Sequence, residues 1–148
     1  MPSELKRIYW RLRTRHWFRY EPAPLRILSG PHSHDFTVEV ARTRAERNFG
    51  LCWRKHLPAN TGMLFVYPDT PLVEMWMANT YLALDMLFIG PEGRIDSIAH
   101  QLAPHASGDF GSGLPTLAVL ELAGGTAVRL GLKPGDAVVC QALPQTKA

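Results

Sequence analysis

The sequence predicts a mainly β domain, an antiparallel sandwich or barrel with one helix and one further helical turn. Three observations carry that expectation. Short apolar or alternating segments recur, with turn signals about every 8–12 residues, the rhythm of all-β folds. The 12 glycines and 12 prolines are spread along all 148 residues, as many short elements joined by tight turns require. A helical period long enough for a full helix is placed once, near residues 44–55.

Residues 1–29 read as a basic aromatic extension. Within residues 1–20, Lys6, Arg7, Arg11, Arg13, Arg15 and Arg19 face Glu4 alone, a net of +5, while the remainder of the chain carries −2 of the overall +3. Tyr9, Trp10, Trp17, Phe18 and Tyr20 interleave with these cations. That pattern suits a helix lying on anionic lipid or an arm touching nucleic acid, with a solvated extension the preferred alternative. No apolar h-region follows the charges, so a signal peptide is not expected and the cytoplasm is the expected location. No apolar run approaches the roughly 20 residues that cross a bilayer.

The domain is expected over residues 30–143. The turn-rich SGPHSH leads into FTVEVA (36–41), where Phe36, Val38 and Val40 alternate with Thr37 and Glu39 as in a half-buried strand. Thr43 and Glu46 stand in the relation of a capping box, which starts a helix at Arg44. Ala45, Phe49, Cys52, Trp53 and His56 share its apolar stripe, and Pro58 is the expected stop. Strands follow over 62–67, 72–77, 82–89 and 94–102, then a long irregular loop over 103–115. TLAVLEL (116–122) is the next strand, a helical turn near 126–130 ends at Gly131, and the last strand is AVVCQA (137–142). Residues 144–148 are expected to fray. Cys52 and Cys140 lie 88 positions apart without a CxxC spacing, as buried free thiols would.

The assembled pattern resembles one family, domain of unknown function 192. GMLF, WM-x-NT, LD-x-x-FI, VLEL and GD occur in that family's order and spacing, and the likeness runs from Phe36 to about Val139. Cys52 replaces the methionine usual in the helix, and Ala78 replaces a common lysine. The resemblance implies a compact, jelly-roll-like β-sandwich, no catalytic residues to carry over, and export as an alternative location. The segment AVRLGLKPGDAVV also looks like part of a PDZ domain, but no GLGF-type loop precedes the second strand.

Several residues stand where chemistry is possible. On the strand 82–89 both faces are apolar, which places Asp85 in a central, buried position. A buried carboxylate must be paired or protonated. Arg54 and Arg47 are the cationic candidates, and Asn79, Thr80 and the Trp76 indole could donate as well. A structural ion pair tying helix to sheet is the favoured account, and a ligand site formed by Trp76, Asn79, Thr80, Asp85 and Arg54 the alternative. Glu121 is a second carboxyl in an apolar strand and could form an acid/base pair with Asp85. Trp76 beside Glu74 could be a platform for a sugar or a cation, with a packed Trp the favoured account. Met75 and Met77 read as core residues before they read as soft-metal ligands. The His32-Ser33-His34-Asp35 run, with His100 or His105, has a metal-like composition but is expected to be incidental.

These residues point to a non-enzymatic binding module for a small polar ligand or an extended chain, with candidate site residues Trp76, Asn79, Thr80, Asp85, Arg54 and Glu121. No cofactor or metal is expected. The alternatives are a hydrolase using Asp85 and Glu121, and docking to membrane or nucleic acid through residues 1–20.

Overall fold

A computed structural model of the chain describes residues 18–144. Among the described residues, nine strands and two short helices follow in the order β1 (Glu21–Ser29), β2 (His32–Ala41), α1 (Arg44–Phe49), β3 (Thr61–Val66), β4 (Met75–Trp76), β5 (Leu84–Ile89), β6 (Ile95–Leu102), β7 (Asp109–Phe110), β8 (Ala118–Ala123), α2 (Thr126–Leu130) and β9 (Ala137–Val139). The main sheet has the strand order β6-β5-β8-β3-β2-β1-β9, and β4 pairs with β7 as a separate two-stranded ribbon. The sheet curls until its ends meet. Arg94 bridges Ala137, the Val138 amide donates to Gly93 O, and the Ile95 amide donates to Asp136 O. The result is a mainly β half-barrel, as the sequence predicts.

One ladder departs from the antiparallel rule. β2 and β3 run parallel, because residues 42–60 cross over with α1 between them. The capping box forms as expected: the Thr43 amide donates to Glu46 Oε1 at 2.8 Å and the Glu46 amide to Thr43 Oγ1 at 3.1 Å. The expected helix to residue 55 is nevertheless cut short. Gly50 takes φ 49°, its amide donates to Glu46 O, and its Cα lies so close to Phe65 that a Cβ would sit 3.0 Å from the ring. The stop is therefore Gly50 and not Pro58.

The boundary expected at residue 30 also moves. Residues 21–29 form β1, which pairs with β2 along its whole length and with β9 through Arg26, Ile27 and Leu28. Residues 1–17 and 145–148 lie outside the described residues, and with them most of the basic tail and the expected frayed end.

Burial explains the order of the strands. β1 and β2 alternate exposed and buried residues, while β3, β5 and β8 are buried on both faces. Inside the curl lie Leu25, Ile27, Phe36, Val38, Leu64, Leu87, Leu120 and Leu122. A second cluster on the other face of the central strands holds Leu51, Met63, Phe65, Val73, Met75, Met77, Met86 and Phe88. That second face is covered by irregular chain. The strand expected over 72–77 pairs in a ladder only at Met75 and Trp76, and the rest is extended coil that drops Val73, Met75 and Met77 onto the sheet.

Candidate functional site

A cavity of about 270 Å³ opens between the second face of the sheet and its irregular cover. Its floor is Glu121 of β8. Across the β3–β8 ladder Glu121 is opposite Met63, and across the β5–β8 ladder it is opposite Met86, so its side chain shares the face of those methionines. One wall is α1 and the turn after it, with Arg47, Asn48 and Cys52; the other is the segment 71–76, with Glu74, Met75 and Trp76. Tyr67, just past β3, and Thr80 complete it.

The electrostatics of this cavity are unusual. Glu121 is 4% exposed, and no hydrogen bond joins its carboxyl to another described residue. Its oxygens are not among the fully sealed polar atoms, of which His34 Nε2 alone lacks a partner among the described residues. Burial pushes that carboxyl up to about 8, which leaves it mainly protonated at neutral pH. The Cys52 thiol is pushed up to about 11 by burial and, secondarily, by Glu121, so it is not a thiolate nucleophile. Burial likewise raises Tyr67 to about 12. Its hydroxyl rests 3.5 Å from Met75 Sδ, and the Arg47 guanidinium covers its ring with 4.8 Å to the centroid. Arg47 is held in place by donating to the carbonyls of Arg42 and Val66. Thr80 is 5% exposed and donates to Ala78 O, the carbonyl that the Cys52 thiol also approaches.

Of the six residues the sequence singles out, three line this cavity: Trp76, Thr80 and Glu121. Asn79 does not. It sits at φ 58° in the turn that joins Met77 to Thr80, its carbonyl accepts from the Trp53 amide, and it borders a shallower groove with Phe18 and Phe49. A left-handed turn position is one that asparagine occupies more readily than most residues.

Asp85 lies elsewhere and has a different partner from the one expected. Its carboxylate accepts from three backbone amides: Gln101 at 2.8 Å, Gly125 at 3.1 Å and Ala127 at 2.8 Å. Gly125 is the N-cap of α2 and offers no side chain, so Asp85 supplies the cap from a neighbouring strand. Gln101, at φ 48°, belongs to the irregular part of the β5–β6 ladder between Leu84 and Met86. The expected arginine is not involved. Arg54 pairs instead with Glu39 at 2.5 Å, with both side chains about a third exposed, and its guanidinium lies 5.7 Å from the Tyr20 ring.

The acid/base pair of Asp85 and Glu121 is ruled out by the ladder. Asp85 is opposite Leu122 and Glu121 opposite Met86, so the two carboxyls project from opposite faces of the same sheet. A hydrolase built on that pair has no common cleft. The histidines are also not gathered: among the described residues no three His, Cys, Asp or Glu side chains converge on one point. His105 meets Tyr81 edge-on at 4.7 Å, while His32 and His34 lie with ring centroids 6.5 Å apart.

Sequence reasoning missed Tyr67 and did not place Arg47 or Cys52 at the cavity. The available signals were a hydroxyl ending the apolar run of β3 and an arginine on the buried side of a short helix.

The fold and the cavity define a small β half-barrel with a pocket on the covered face of its sheet. The chain belongs to the family domain of unknown function 192, described as "Uncharacterized ACR", whose model matches residues 26–140. A "putative transcription regulator" from Sinorhizobium meliloti 1021 is 40% identical, with a TM-score of 0.82 over 85% of this chain and 98% of that one. A protein of unknown function from Novosphingobium aromaticivorans DSM 12444 is 39% identical, with a TM-score of 0.78 over 80% of this chain and 84% of that one. No protein with a curated description matches. Among the described residues no helix is long and apolar enough to cross a membrane.

Proposed function

We propose that the protein is a non-enzymatic binding module for a small polar ligand, held in the cavity between Glu121, Thr80 and Trp76. The supporting observation is the Glu121 carboxyl, buried at the floor of an open cavity without a hydrogen-bond partner among the described residues. A carboxyl that no described residue bonds can be met by a water or a ligand group in the cavity, each such hydrogen bond being worth about 0.5–1.5 kcal/mol. The cavity's size favours a small molecule over an extended chain. Its chemistry disfavours a hydrolase of the kind the sequence offered: the thiol is held protonated, and Asp85 projects from the face opposite to Glu121. A regulator that senses a small molecule would need such a pocket, which agrees with the words attached to the Sinorhizobium relative.

A fragment library screened by amide chemical shifts tests this reading. Ligands that perturb Trp76, Thr80 and Glu121 together, and raise the thermal midpoint with concentration, are the expected result. A library that yields no binder, or only binders at other surfaces, overturns it.

A further inference from the structure

We infer that the cavity takes a small primary amine, with its ammonium group on the Glu121 carboxyl and its organic part against the aromatic wall. The inference rests on the binding-module reading and gives it a ligand class. Two independent features carry it.

The first is a missing counter-ion. The charged and titratable side chains facing the cavity are Arg44 and Arg47 from α1, Glu74 from the cover, and Cys52, Tyr67 and Glu121. Arg47 is committed to two carbonyls and to the Tyr67 ring. Among the described residues neither it nor any other cation offsets the desolvation of Glu121, and burial is the influence that raises that carboxyl. A ligand ammonium would supply both the hydrogen-bond donors and the positive charge that the described residues do not bring to it. The second feature is the mouth. Trp76, 42% exposed, lies next in sequence but one to Glu74, and both line the opening. An indole face beside a carboxylate attracts cations, whereas a neutral or anionic ligand gains little there.

A proton must move when such a ligand binds. The neutral carboxyl loses its proton to solvent as the ammonium arrives, so binding below the carboxyl's raised value releases about one proton per site. No bond other than O–H is broken.

The test uses benzylamine, benzyl alcohol and benzoate with the full chain at about pH 6.5, by titration calorimetry in two buffers of different ionisation enthalpy. Benzylamine is expected to bind at least about tenfold tighter than either isostere, with a heat that depends on the buffer because a proton is released. Glu121→Gln, which keeps the side-chain shape, should weaken benzylamine about tenfold and abolish the buffer dependence. Proton release by the unaltered protein is a separate readout should that variant fold poorly. Equal or tighter binding of benzyl alcohol or benzoate at Trp76 and Thr80 would overturn the amine while leaving the binding module standing. Binding of none of the three overturns it too, and the fragment library then decides the fate of the binding module separately.

Discussion

Asp85 and Glu121 stand on neighbouring strands, one register position apart across the β5–β8 ladder, in equally apolar sequence. Both are buried, at 0% and 4% exposure. Their surroundings differ because the ladder sends them to opposite faces. Asp85 meets the start of α2 and the irregular stretch of β6, where three backbone amides lack partners of their own. Glu121 meets a cavity and, among the described residues, no donor. A carboxyl in an apolar strand is thus not by itself a mark of function. What separates a structural acid from a candidate ligand group is whether the fold supplies its hydrogen bonds.

The contrast can be broken most forcefully at Asp85. Asp85→Ala leaves three buried amides without an acceptor and should cost about 3–5 kcal/mol in urea unfolding. A loss below about 1 kcal/mol would mean that water replaces the carboxylate and that the node is not structural.

Glu121 should show the opposite behaviour. Its folded value lies above the ordinary 4.5, at about 8, so the unfolded chain releases a proton that the folded chain keeps. Stability therefore falls as pH rises from about 4.5 to about 8, by a few kcal/mol in all. Glu121→Gln removes that slope. The variant should match the parent near the acid end of the window and exceed it by roughly 2–4 kcal/mol at the alkaline end, as read by denaturant unfolding at several pH values. Parallel stability curves for the two proteins would show that the carboxyl is solvated or paired.

Smaller effects sharpen the picture at the edges. Trp76→Ala should weaken a cavity-bound fragment several-fold while changing stability by no more than about 0.5 kcal/mol, since the indole is 42% exposed. Unchanged affinity, measured by titrating amide shifts, would take Trp76 out of the site. Arg54→Ala removes a partly exposed pair with Glu39 and should cost less than about 1 kcal/mol. A larger loss would point back to the helix-to-sheet role that the sequence suggested for this arginine.

The legible parts of the fold were those where burial repeats locally. β3, β5 and β8 read as continuous apolar runs because both faces are covered, and α1 announces itself through Thr43 and Glu46. β1 was hidden by Pro22 and Pro24, which argue against a strand. They are tolerated because β9 reaches only residues 26–28, leaving that end of β1 without a second neighbour. The segment 72–77 misled in the other direction: its alternation records Val73, Met75 and Met77 turning inward, which an extended cover achieves without a ladder. For the site, Glu121, Trp76 and Thr80 could be singled out as polar or aromatic groups in apolar surroundings. The face on which each carboxyl falls depends on β5 pairing with β8, a long-range register that no local pattern encodes.

The central claim is that Glu121 is a buried carboxyl to which the described residues give no partner. Carbon-detected titration of the Glu121 side-chain carboxyl in the unliganded protein tests it directly. The account predicts a midpoint near 8, and a midpoint near the ordinary 4.5 would contradict it.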